Sequence, residues 1–497
     1  MALLVFPYIF NSKLDLNGDN CYYYINATSL AEGDGYCGMF GEPTANFPPG
    51  YPLLMAPLRV ITSSFVAQKV MNLVFFLFGV LMLFSILVRE GIRREVAFVI
   101  SAVVLTTPHL LEFSTMMMSE ASCFFFVSLA FWAYQRISDE NSGRMWRSYY
   151  IYVFIFSVLF SFYIRTQALV LFIAFLVGFV LMRRWRLSLL LLATTILGYM
   201  PWVIRNMLNG LGSSRYLDQV SFTSLGSKLT MLLVQALPES IVPYFKVDYM
   251  RSPSLLLWII SLVMFMFIVY GVWRLKGLRI VLYLFLAGGV GIVAIMDSPS
   301  LYRYLVILLP FFTAAFVVGL WDVSLILWNR VTGKVLSPWI LLVLLLPGVM
   351  QGRNAMFKHS LPDIHETASN GYPPLYINYF SMARKIVGVE KSAVVASRKP
   401  ELLYVAEGLI GVPFVKDGND EDMVRYFLKC NVDYIIIDDS KSLVNDNITR
   451  LINKNTELFT VVSYILNPDI YLFRFEKDKA LIRLMDYDAN QSPTPSR

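Results

Sequence analysis

Ten stretches of this chain are apolar over 15 to 26 residues, and they decide what it can fold into. A helix needs about 20 apolar residues to cross a hydrocarbon core roughly 30 Å thick. The stretches are 67–88, 95–110, 116–135, 148–163, 166–182, 187–204, 254–273, 278–296, 303–328 and 336–350. The shorter ones, such as 148–163, must lean on neighbouring helices or on thinned bilayer. Composition agrees. Hydrophobic residues make up 57% and charged residues 15% of the 497, against roughly 45–50% and about 25% in soluble domains. That excludes a disordered chain, a collagen-like chain and an ordinary soluble enzyme. It predicts a polytopic α-helical membrane protein.

Short loops orient the spans. Fourteen cations fall in five alternate loops, among them Arg89, Arg93 and Arg94, then Arg183, Arg184 and Arg186, then Arg274, Lys276 and Arg279. Cytoplasmic loops collect Lys and Arg, so these loops are predicted to be cytoplasmic. The net charge of +7 has the same origin, and no nucleic-acid partner is expected. The long loops 11–66 and 206–253, and everything after residue 351, then face outward. For that alternation to hold, residues 1–10 read as the outer end of a first helix that starts before Met1. The alternative is a short interfacial segment. The total is then about 10–11 transmembrane helices.

From Gly352 the chain turns polar. Strand-like runs at 393–397, 433–438, 459–466 and 470–475 alternate with helical spacing at 420–430 and 443–453. This predicts a membrane domain over 1–351 and a C-terminal extracytoplasmic α/β domain over 352–497. Cys21 and Cys37 share the first outer loop, either as a disulfide or as two thiols.

There is no Walker A loop and no G-x-G-x-x-G after a strand. No cytoplasmic domain could hold a nucleotide sugar. Any chemistry is therefore expected at the outer face, on a substrate from the lipid or the outer compartment. In the first outer loop, Asp19 precedes a run (Tyr22, Tyr23, Ile25, Asn26, Ser29, Leu30) that predicts an interfacial helix. Asp19 is either a general base on a lipid-linked substrate or the helix cap. Glu120 opens an apolar span, where an acidic group is by default a functional candidate; the alternative is an interface glutamate reaching water. His109 could bind metal or phosphate, or serve as a polar cap. Arg165, Arg205 and Arg303 sit at outer span ends, against the usual charge bias, and suit an anionic headgroup. Tyr302 and Tyr304 flank Arg303. The run 220–237 is amphipathic enough to lie on the membrane.

The first-loop Asp followed by YY, the A-x-S-L helix, a Gly-rich turn and PPGYP resemble the GT-C superfamily of membrane glycosyltransferases. The likeness is to the bacterial branch similar to protein O-mannosyltransferases and lipid A aminoarabinose transferases. SE at 119–120, PWVIRN at 201–206 and YRYLVILLP at 302–310 agree. The resemblance covers about 1–350 and implies a hexosyl- or pentosyltransferase. Such an enzyme takes sugar from a polyprenyl-phosphate donor and passes it to a lipid, glycan or protein acceptor. Transfer is a single inverting displacement at the outer face of a bacterial inner membrane. It implies Asp19 as the catalytic Asp, Glu120 as a second acidic group at the mouth of the cavity and Arg303 as the basic residue near the lipid phosphate; the residues themselves add Arg165, Arg205, Tyr302, Tyr304 and His109 as substrate-binding candidates. The family's usual acidic pair reads Asp19-Asn20 here, which weakens a metal assignment while leaving room for a divalent ion. A lipid-linked glycan flippase, or an O-antigen ligase or polymerase, is the alternative.

Overall fold

In the computed structural model, the described residues are 10, 12–139, 148–211, 220–242, 247, 251–297, 301–341, 372–415, 419–440 and 443–491. Residues 1–9 and most of the expected span 336–350 lie outside them. The chain forms two compact units. One comprises Met1–Phe10 with Pro43–Pro362; the other comprises Asn11–Glu42 with Asp363–Arg497. This division differs from the boundary expected near 351, because residues 11–42 of the first loop group with the C-terminal part.

The first unit is helical. Phe65–Arg89, Trp185–Leu208, Leu255–Arg274 and Leu309–Thr332 are each long and apolar enough to cross a membrane. Tyr149–Ile164, Leu169–Leu181 and Arg279–Ile295 are shorter apolar helices between them. Their ends follow from local chemistry. Ser64, Ser148 and Ser254 each accept a hydrogen bond from a first-turn N–H, which satisfies an orphan donor. Gly333 closes Leu309–Thr332 in the left-handed conformation, which glycine adopts without a Cβ clash.

Three expected spans are interrupted. Span 95–110 breaks at Thr107, held at φ −66 and ψ 121, because the residue before a proline disfavours the helical region. Pro108 then opens the separate helix Pro108–Ser114. Span 116–135 becomes helical only at Glu120. The preceding Met-rich turn is fixed by buried Asn72, whose Nδ2 donates to the carbonyls of Met116 and Met118. Span 303–328 divides into Leu301–Leu305 and Leu309–Thr332. The run 220–237 divides: residues 222–227 are exposed, while its second half turns inward. Its π-helical stretch Met231–Ala236 buries Leu232, Val234, Gln235 and Ala236, and Ser261 donates to the Val234 carbonyl.

Leu255–Arg274 and Leu309–Thr332 meet backbone to backbone. A Cβ added to Gly271 would run into the Ala315 carbonyl oxygen, and one added to Gly319 into that of Phe267. Small residues allow this approach between helices that gain little from burying apolar side chains in lipid.

The second unit carries a five-stranded sheet in the order β2-β1-β3-β5-β4. The strands are β1 Val395–Ser397, β2 Gly411–Pro413, β3 Tyr434–Asp438, β4 Phe459–Ile465 and β5 Ile470–Phe475. β1 lies parallel to β2 and β3, while β5 runs antiparallel to β3 and β4. All five residues of β3 are buried, as expected of a central strand covered on both faces. Phe427, Ile435, Ile448, Leu451 and Phe475 form its core with residues from Asp420–Lys429 and Leu443–Lys454. The four strand-like runs and both helical runs expected here are present. β2 and the helices Pro374–Val389, Pro400–Glu407 and Lys477–Gln491 were not foreseen. Cys21 and Cys37 are free thiols.

Candidate active site

Within the helical unit, three of the expected residues come together at helix breaks. Glu120 is the first residue of Glu120–Asp139 and is 1% exposed. Arg165 follows Tyr149–Ile164 in extended conformation. Arg303 lies in the short helix Leu301–Leu305. One oxygen of Glu120, Oε1, takes both arginines: Arg165 Nη1 at 2.9 Å and Arg303 Nε at 2.6 Å. Arg165 also donates to Ser119 Oγ at 2.9 Å. The other carboxylate oxygen, Oε2, has no hydrogen-bond partner among the described residues. The Tyr304 ring lies 5.9 Å from the Arg165 guanidinium, and the Phe113 ring 5.8 Å from that of Arg303.

One carboxylate here faces two guanidiniums, and Glu112 is a second carboxylate within electrostatic reach of Arg303, in surroundings where an uncompensated ion is costly. Arginine forks match phosphate oxygens, so a pair held this way is chemically suited to an anionic group. Glu120 fixes both arginines from one side, which turns their positions into a property of the fold.

The remaining expected residues stand differently. Arg205 donates to the Thr44 carbonyl at 2.6 Å and to Asn206 Oδ1 at 2.8 Å, with Trp202 5.1 Å away. It ties down the chain after the Gly-rich turn and does not join Glu120. His109 is half-buried in Pro108–Ser114. Tyr302 shares the short helix of Arg303; its side chain lies outside the described residues. Lys69, 0% exposed inside Phe65–Arg89, was missed. Its signal was a cation in an otherwise apolar helix, three residues from Asn72 and so on the same face.

Asp19 belongs to the second unit. It is the first residue of Asp19–Glu32, half-buried, and it is not the cap. Gly18 occupies the cap at φ 101, a left-sided backbone that glycine tolerates. The Gly18 N–H is taken by Asn20 Oδ1 at 2.9 Å, and Asn20 Nδ2 donates to the Asp15 carbonyl at 2.7 Å. Asn20, fully buried, thus shapes the loop that carries Asp19. Among the described residues no three His, Cys, Asp or Glu gather as a metal set.

The C-terminal part holds this loop. Lys399 Nζ donates to the Leu16 carbonyl at 2.5 Å and lies 3.3 Å from the Tyr376 hydroxyl. The Leu14 N–H donates to the Tyr372 hydroxyl at 3.0 Å. Glu401, 7% exposed, sits so close that a Cβ on Gly18 would be 2.7 Å from its Oε1. Burial pushes the Glu401 carboxyl up, and the Asp19 charge adds to it. Lys399 and Glu401 follow β1 directly. The carboxyl end of a parallel strand is where α/β sheets place functional groups, and SRKPE after the run 393–397 was the available signal.

No family model and no curated relative matches the sequence. Solved structures do. ArnT from Cupriavidus metallidurans bound to undecaprenyl phosphate superposes with a TM-score of 0.61 at 13% identity, over 95% of this chain and 96% of that one. Its apo state gives 0.55 at 12% identity over the same shares. The Archaeoglobus fulgidus oligosaccharyltransferase AglB, in complex with an inhibitory peptide and a dolichol-phosphate, gives 0.53 at 12% identity. It covers 88% of this chain and 68% of that one. At these identities the likeness shows the fold: the chain has the fold of ArnT and AglB, and four of its helices are long and apolar enough to cross a membrane.

Proposed function

We propose that this protein moves a sugar from a polyprenyl-phosphate donor to an acceptor at the extracytoplasmic face of a bacterial inner membrane. The observation that carries this is the pair of arginines held by buried Glu120, two cations on one carboxylate oxygen. Two of the similar structures, themselves bound to undecaprenyl phosphate or dolichol-phosphate, support it. The cations of the short loops support the orientation.

The reaction is one in-line displacement at the anomeric carbon, with inversion. The acceptor oxygen bonds to that carbon, and the carbon–phosphate oxygen bond breaks with its electron pair staying on the phosphate. Arg303 and Arg165 hold the phosphate as charge grows on it. Asp19 takes the proton from the acceptor hydroxyl. Glu120 acts as a positioning residue, since both arginines occupy it. The phosphate leaves readily, so no strong general acid is needed, unlike the carboxylate pairs of glycoside hydrolases. The test is purified protein with radiolabelled polyprenyl-phosphate sugar and no nucleotide sugar. Label transferred to an acceptor supports the reading. Label moved across a vesicle membrane without transfer makes the protein a flippase.

A further inference from the structure

The helix Asp19–Glu32 sets Tyr24, Thr28 and Glu32 at four-residue intervals, with Ser29 beside them. These residues share one helix face. That face lines a half-open cavity of about 530 Å³, bordered also by Tyr404 of Pro400–Glu407 and by Asp34 and the following loop. The size is that of a small-molecule site, which spans roughly 300–1,000 Å³.

The lining is rich in acceptors. Thr28 Oγ1 donates its hydrogen to the Tyr24 carbonyl, and Ser29 Oγ donates to the Gly35 carbonyl, each at 2.9 Å. With its hydrogen committed, the Ser29 hydroxyl faces a ligand as an acceptor. Glu32 and Asp34 are exposed carboxylates, which only accept when ionised. Among the described residues no Lys, Arg or His lines the cavity. A ligand that fits must bring many donors and no negative charge. A sugar ring does so: adjacent hydroxyls meet a carboxylate, and its C–H face lies on a tyrosine ring. The donor phosphate is repelled from the same carboxylates.

We infer that this cavity binds an uncharged or amino-bearing glycan and serves as an acceptor subsite. The acceptor role rests on the glycosyl-transfer reading above; glycan binding does not. The experiment uses the full-length protein in detergent and saturation-transfer NMR without donor lipid. The probes are N,N′-diacetylchitobiose, its de-acetylated diamine, and a glucuronic-acid disaccharide. An alkyl-chain glycoside of the first probe in nanodiscs distinguishes a glycolipid headgroup from a free glycan. The neutral and amino probes bind and the acidic probe does not. Glu32→Gln with Asp34→Asn weakens the amino probe roughly tenfold or more, the loss of charged hydrogen bonds, and admits the acidic one. Tyr404→Ala weakens both binding probes. The inference is overturned if neutral and amino probes are silent with folded protein, or if the acidic probe binds equally. Because occupancy is read without transfer, its failure and that of the transfer activity are separate results.

Discussion

Arg303 meets Glu120 through Nε at 2.6 Å, so the guanidinium is anchored by its inner nitrogen to a carboxylate with no surface exposure. Arg303→Lys keeps the charge but loses the planar fork. Donor use should fall by about 1–3 kcal/mol, as for a charged hydrogen bond, with the melting temperature little changed. Unchanged donor kinetics would leave Arg303 as an interfacial anchor.

Glu120→Gln should be harsher and different in kind. It leaves two arginines facing each other without the carboxylate between them, and breaking a buried pair costs about 3–5 kcal/mol. The melting temperature should drop by several degrees and be partly restored by added undecaprenyl phosphate. Equal melting with and without that lipid would contradict the anion-site assignment.

Asp19→Asn keeps shape and cannot accept a proton. Transfer should slow roughly 10²–10⁴-fold in a protein that melts normally, with Asp15→Asn measured beside it as a control. Near-normal transfer would remove Asp19 as the base.

Glu401 gives a pH-dependent prediction. Its carboxyl is raised by burial first and then by Asp19. A raised carboxyl favours the neutral form in the fold. Its stabilising share is therefore full below the unfolded value of about 4.3 and is lost as pH rises through the folded value. Glu401→Gln, neutral throughout, should melt higher than wild type at about pH 7.5 and match it near pH 4. A lower melting point at neutral pH would show that the Glu401 charge is needed beside Lys399.

Asp438 behaves oppositely. Burial alone would raise its carboxyl, but hydrogen bonds from Arg398 (2.7 Å at the shortest) and Ser440 outweigh it, and the net shift is downward. Stability from this group is present above the unfolded value of about 3.9 and disappears as pH falls through the folded value. Asp438→Asn should cost about 3 kcal/mol at neutral pH, with the difference narrowing in acid. A pH-independent difference would point to shape and not charge.

Most span positions were legible because apolar run length is a direct consequence of bilayer thickness. The interruptions were less so. Pro108 announces its own break, but the late start at Glu120 depends on Asn72, a residue 48 positions earlier that satisfies the turn carbonyls. Charge bias at outer span ends singled out Arg165 and Arg303, and both reach Glu120. The same bias singled out Arg205, which serves the loop at Thr44 instead; nothing local in PWVIRN distinguishes the two fates. Lys399 and Glu401 were invisible because their importance comes from a chain segment some 380 residues away, the hydrogen bond from Lys399 to Leu16.

The crossing at Gly271 and Gly319 has a mechanical consequence. Sliding either helix along the other by about a turn would bring a same-face residue with a side chain, such as Ile268 or Val323, to the place where the glycine lets the backbones touch, so the pair is keyed in register like a tooth in a slot. The turn 306–308 is the joint between the short helix of Arg303 and this keyed pair. An extra residue inside either helix would turn its glycine about 100° off the contact face and throw the key out of its slot.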